Sequence, residues 1–165
     1  MKYLTAFLIV LTATASDTVL KRAASYTLMK NEGFRAKPYL CTNGHATVGY
    51  GHKIIGKVKP SYTKAEAKAL LADDIGKKLK VCRRLLKDFD TYPVCVQVAI
   101  LDGVFRGDLS GSPKTLRLMR QGRWVQASKE YLDHREYRLS KKNGTGVHKR
   151  MNRNALVFSR YGESL

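Results

Sequence analysis

The chain has 165 residues, with 31 Lys plus Arg against 13 Asp plus Glu and a net charge of +18. Its length suits one domain with a packed core, and 44% hydrophobic residues with scattered Gly and Pro exclude a disordered or collagen-like chain. The charge exceeds the magnitude of about 2–8 that solubility needs, so it points to a polyanionic partner: nucleic acid, an anionic membrane or a bacterial wall polymer.

The N-terminus bears on the compartment. Lys2 is followed by an apolar run from Tyr3 to Leu11, then by Ala13-Thr14-Ala15, a small-x-small cleavage pattern. Residues 1–15 therefore read as a secretory signal peptide, with 16–165 as a single exported domain. The run is shorter than the roughly 20 apolar residues of a bilayer span, so no stable membrane span is expected. The first helix of the domain and a weak membrane anchor are the other readings. Three cysteines, Cys41, Cys82 and Cys95, leave one thiol over in an exported chain. The count permits Cys82–Cys95, and it also permits a disulfide from Cys41 to either. No Cys or His pair has zinc-ligand spacing, so neither metal nor other cofactor is expected.

Residues 18–32 predict an amphipathic helix, with Val19, Leu20, Ala23, Ala24, Leu28 and Met29 near a 3.6-residue period and Gly33 as a stop. Residues 38–56 change character. Short β-prone pieces (38–40, 46–48 and 53–55) alternate with Asn43-Gly44, Gly49, Gly51 and Gly56, and Asn-Gly is a hairpin signal. Thr63-Lys64-Ala65-Glu66 is a capping box opening a helix that carries Ala67, Leu70, Leu71 and Ile75 on one face. From Val94 onward the pattern is helical, interrupted at Gly107, Gly111-Ser112-Pro113, Gly122 and Gly144-Thr145-Gly146. Val94 to Phe105 is nearly all apolar and reads as the central buried helix. The predicted class is α+β, with a small antiparallel sheet lobe, a larger helical lobe and a ligand cleft between them.

The stretch from Asn31 to His52 carries the chemistry. Glu32 closes a helix, where the negative end of the dipole favours a protonated carboxyl. Such a group can protonate a glycosidic oxygen. By position alone, a Glu in a basic protein is more often a salt-bridge partner. Its neighbours change that reading. Glu32-Gly33-Phe34-Arg35, Tyr39, Gly44 and Thr47-Val48-Gly49-Tyr50-Gly51-His52 together resemble the signature of the phage-type lysozymes, or endolysins (glycoside hydrolase family 24, which includes the T-even phage lysozyme). That signature is a Glu, eight residues, an Asp or Cys, five residues and a Thr; here these are Glu32, Cys41 and Thr47. Weaker similarity continues through Tyr62–Asp74, Gly103-Val104-Phe105, the segment from Gly122, and Gly146–Phe158.

The resemblance implies roles. Glu32 matches the general acid. Thr47 matches the residue that positions the attacking water or supports the second catalytic group. Arg150 matches the basic residue that pairs with the acid, and His52 matches a structural histidine that pairs with an acid, here Asp74. Tyr39 and Phe105 match substrate-contacting positions, although a core role suits Phe105 equally. The family has an acid near position 154, where this chain has Asn154. Most relatives carry Asp at the position of Cys41. A free thiol titrates near 8.5, and Arg35, Lys37 and the overall charge favour the thiolate, which can act as base or nucleophile. A disulfide at Cys41 would remove it.

The function implied is hydrolysis, with inversion, of the β-1,4 bond between N-acetylmuramic acid and N-acetylglucosamine in peptidoglycan, serving bacteriolysis, host-cell lysis or defence. A monomer is expected. The basic clusters Lys77–Lys87 and Lys141–Arg153 would draw it to anionic wall polymers. Two alternatives stand: a lytic transglycosylase, which needs only the Glu, and a cationic wall-binding protein without catalysis. A nucleic-acid binder rests on charge alone, since no such motif is present.

Overall fold

The computed structural model describes residues 2–41 and 44–165, with side chains described from Asp17 onward. The side chains of the predicted signal peptide, and Asn43 of the hairpin signal, lie outside what is described. In chain order the elements are α1 (Lys2–Glu32), β1 (Arg35–Leu40), β2 (Ala46–Gly49), β3 (His52–Lys53), α2 (Lys64–Leu85), a 3-10 turn (Phe89–Thr91), α3 (Val94–Arg106), α4 (Pro113–Arg120), α5 (Trp124–Leu132), α6 (Arg135–Asn143) and α7 (Val147–Glu163). This is an α+β fold of the lysozyme kind. It separates into two compact units, Met1–Ile75 and Gly76–Leu165.

In the first unit, α1 runs well beyond the predicted start at residue 18. Its buried face is set by Leu20, Ala24 and Leu28, spaced four apart so that they stack on one stripe. Gly33, at φ +68°, ends it, and its N–H donates to the Met29 carbonyl at 3.2 Å. The antiparallel sheet has the order β1-β2-β3. Tyr39 pairs with Thr47, Leu40 with Ala46, and Thr47 with Lys53. Strand β1 starts at Arg35, three residues earlier than predicted, and holds Pro38, which has no N–H to give a ladder. It is tolerated because β1 is an edge strand and the register is irregular between Arg35 and Tyr39. Past β3, the Ile54 N–H still donates to the Ala46 carbonyl at 2.8 Å.

The capping box forms. Thr63 N–H donates to Glu66 Oε2 at 2.8 Å, and Glu66 N–H returns to Thr63 Oγ1 at 3.2 Å. A hydrogen bond from Lys59, joined by those from Thr63, holds the Glu66 carboxyl down at about 2, from an ordinary 4.5. From there α2 buries Ala67, Leu71 and Ile75 along one stripe.

In the second unit the end of α2 buries Leu79 and Cys82. Helix α3 buries Val96, Ala99, Ile100, Leu101 and Val104, as its apolar run predicts, together with the polar Gln97 and Asp102. Glycines mark the later boundaries: Gly107 and Gly144 cap α3 and α6 in the left-handed conformation, and Pro113 begins α4. Trp124 is the hub of an aromatic cluster, with ring centroids 5.0 Å from Tyr92 and from Tyr161 and 6.1 Å from Phe158.

None of the three cysteines is in a disulfide. The Cys82–Cys95 pairing that the count permits is not made, because Cys82 points into the core while Cys95 is exposed. Burial pushes the Cys82 thiol up to about 12.

Gly49 joins the sheet to α2. Its φ is +63°, and a Cβ there would stand 2.8 Å from Ala67 Cβ. Gly56 has a similar φ of +91° with nothing within 4 Å of its Cβ position. Gly49→Ala should therefore lose about 2 kcal/mol of stability through strain plus overpacking. Gly56→Ala should lose less. Denaturant unfolding of the two variants checks this, and equal losses would contradict it.

Candidate active site

Glu32 is the last residue of α1, half-buried, with its carboxyl against the backbone of Gly51. A Cβ built on Gly51 would stand 3.4 Å from Glu32 Oε2 and 3.7 Å from Cδ. A methyl group just fits there; anything longer would enter the space of the carboxyl. Gly51 has φ +85°, so two left-handed glycines two residues apart fold the chain back after β2. Gly49 lets the turn close on α2, and Gly51 lets it close on Glu32. Between them Tyr50 is buried, with its ring 5.7 Å from that of Phe34. His52 follows, and its Nδ1 lies 2.8 Å from Asp74 Oδ2, which ties β3 to α2.

The sheet carries the other first-unit residues. Tyr39 and Thr47 are register partners, so their side chains share a face. The Cys41 N–H donates to the His45 carbonyl at 2.9 Å, which extends the ladder past Leu40–Ala46. Period-two alternation then places Cys41 on the face of Tyr39 and Thr47. The Cys41 carbonyl accepts from Gly44 N–H at 2.8 Å, closing the hairpin. Thr47 is buried, and its Oγ1 donates to the His45 carbonyl at 3.0 Å. Its proton is thus committed, and the oxygen is left as an acceptor that can orient a water. The Arg35 guanidinium sits 4.3 Å from the Tyr39 ring centroid, which fixes the aromatic face.

Phe105 and Arg150 belong to the second unit. Phe105 is half-buried in the last turn of α3. Arg150, on α7, is clamped. Its Nε donates to Asp102 Oδ2 at 2.9 Å and its Nη2 to Asp102 Oδ1 at 2.8 Å, a two-pronged charged pair. Asn154, one turn on, adds Nδ2 to Asp102 Oδ2 at 2.9 Å. Where the family pattern puts an acid at position 154, this chain has the amide at 154 and the acid at 102. Nearby, Tyr131 donates to Asp108 Oδ1 at 3.0 Å, and Arg106 Nε donates to Asp108 Oδ2 at 2.8 Å. Burial, and next the Asp108 charge, push the Tyr131 hydroxyl well above the usual phenol range.

A model of the phage lysozyme family matches residues 29–154. The chain belongs to the phage lysozyme family. The match begins three residues before Glu32 and ends on Asn154, so it spans each candidate residue described above. Phage lysozymes are the lysozymes and endolysins that act on bacterial peptidoglycan, and peptidoglycan is the substrate the family implies. A search of curated proteins finds no match. Among the described residues, no helix is long and apolar enough to cross a membrane.

The sequence reading missed Asp102 and the second-unit network around it. The signal was present: a lone carboxylate in an apolar helix requires a buried cationic partner. Asp102 is 2% exposed and Arg150 8%. Asp102→Ala removes the two-pronged acceptor from a buried guanidinium and should cost about 3 kcal/mol, read by denaturant unfolding. A loss under roughly 1 kcal/mol, the range of an exposed pair, would contradict the clamp.

Proposed function

We propose that this phage lysozyme, of the glycoside hydrolase 24 type, hydrolyses the β-1,4 bond between N-acetylmuramic acid and N-acetylglucosamine, with Glu32 as general acid. The observation that carries the proposal is the seating of the Glu32 carboxyl at the end of α1 against Gly51, within the glycine-rich turn of the family motif. Glu32 gives its proton to the glycosidic oxygen as the bond to the anomeric carbon breaks. Water adds to that carbon from the opposite face, giving inversion. Thr47, whose hydroxyl proton is held by the His45 carbonyl, orients the water, and the Cys41 thiolate takes the water's proton. Tyr39, stiffened by Arg35, offers a flat face to a sugar ring. Phe105 is proposed as a second substrate contact. Arg150 supports catalysis as a rigid cation, and His52 holds its strand through Asp74.

In this reading residues 1–15 direct export and 16–165 act as a monomeric catalytic domain in bacteriolysis, whether host-cell lysis or defence. The net charge, +18 for the whole chain and +17 once Lys2 is removed, draws the enzyme to anionic wall polymers in a salt-dependent manner. One observation favours a second reading. The position of the usual second carboxylate is Cys41, and a lytic transglycosylase needs no such group.

Clearing of purified peptidoglycan, with mass analysis of the fragments, separates the readings. Glu32→Gln should lose roughly a hundredfold or more in rate while keeping its melting temperature. Cys41→Ala should lose less, and the products should end in reducing sugars. Anhydro ends would transfer the assignment to transglycosylation. Unchanged clearing by Glu32→Gln would remove Glu32 from the role of acid, and no clearing by the wild type would leave a non-catalytic wall binder.

A further inference from the structure

The basic run at the end of α2 is not one uniform surface. Lys78 turns inward and donates to the Val104 carbonyl at 3.3 Å. Arg83 pairs with Asp90, its Nε 2.9 Å from Oδ2 and 3.0 Å from Oδ1. Arg84 and Lys87 do neither. They line a depression of about 350 Å³ together with Leu86, Asp88, Tyr92 and Arg120. Every lining residue belongs to the second unit.

Arg120 comes from α4, and its Nε donates to the Leu85 carbonyl at 2.9 Å. That bond quenches the exposed carbonyl at the end of α2 and immobilises the guanidinium without neutralising it. Three cations, from α2, the loop after it and α4, thus converge on one depression that contains a single carboxylate, Asp88. Among the described residues, no ion pair joins Arg84, Lys87 or Arg120 to an acid. Converging like charges repel, so an arrangement of this kind is relieved by a bound anion. The guanidinium forks match the oxygens of a phosphate, and the half-buried Leu85 and Tyr92 give a non-polar wall for what it is attached to. The volume lies at the low end for ligand sites, which suits a phosphate group with one small substituent.

We infer that the depression formed by Arg84, Lys87 and Arg120 is a binding site for a phosphate or phosphodiester group. The inference stands apart from catalysis by Glu32. A phosphodiester chain of the bacterial wall and free phosphate share this chemistry.

Amide chemical-shift titration of the full chain tests it, with inorganic phosphate and with a glycerol-phosphate oligomer as separate probes. Both should saturate, with shifts gathered at Leu85–Tyr92 and around Arg120. Arg84→Gln/Lys87→Gln should weaken binding at least tenfold, with the melting temperature unchanged, because both side chains are exposed. Lys68→Gln/Lys129→Gln removes the same charge from exposed positions outside both basic clusters and should change binding less than twofold. Oligomer binding well beyond that of phosphate assigns the site to a wall polymer; equal binding assigns it to a single phosphate. Equal weakening by both double variants, shifts spread over the surface, or no saturation with either probe would overturn the inference.

Discussion

The first unit depends on a turn that a residue with a long side chain cannot make. Gly49 and Gly51 both have positive φ; at Gly49 even a Cβ would clash, and at Gly51 a side chain longer than a methyl has no room. At Gly49 the space is taken by Ala67 of α2; at Gly51 it is taken by the carboxyl of Glu32. One three-residue reversal therefore fixes the sheet against the start of one helix and the end of another. The acid, the hydroxyl of Thr47 and the thiol of Cys41 are placed by backbone geometry, with the ladder from Cys41 to His45 and the His52–Asp74 pair holding the flanks. A position set by close-packed backbone is stiffer than one set by a flexible side chain, which is what the role proposed for Glu32 requires.

The second unit rests on a different kind of constraint. Its apolar core is built from α3, α5 and α7, but the polar atoms inside it are specified pair by pair. Asp102 takes the fork of Arg150 and the amide of Asn154, and Asp108 takes Tyr131 and Arg106. Removing one member of such a set leaves a buried charge or donor unmatched, which costs far more than the pair contributes when whole. The network thereby specifies how three helices pack, beyond what apolar area can, since apolar contact is non-directional.

Much of this was legible in the residues. The capping box of Thr63 and Glu66, the glycine boundaries at 107 and 144, and the stripe of Ala67, Leu71 and Ile75 follow from local rules, and local rules govern these elements. The strand β1 was read three residues short, because Pro38 breaks a ladder on paper and only an irregular edge strand tolerates it. Helix α1 reaches back to Lys2, through residues that the sequence reads as a signal peptide or as the first helix of the domain. Asp102 was passed over inside an apolar run, because its partners lie 48 and 52 residues away. A long-range pairing leaves no periodicity. The cysteine count likewise admitted a disulfide that burial of Cys82 and exposure of Cys95 preclude in this structure.

The central claim is that the Gly51 backbone sets the place of the Glu32 carboxyl. Asparagine accepts a left-handed backbone at little cost, so Gly51→Asn adds bulk toward the acid with small strain. Gly56→Asn is the matched control, at a φ of +91° with nothing within 4 Å. The decisive measurement is the rate of peptidoglycan clearing per folded molecule for the two variants. The account predicts a fall of about a hundredfold for Gly51→Asn, as expected when a catalytic group is displaced by about an ångström, and a near wild-type rate for Gly56→Asn. Folded Gly51→Asn clearing at the wild-type rate would contradict it.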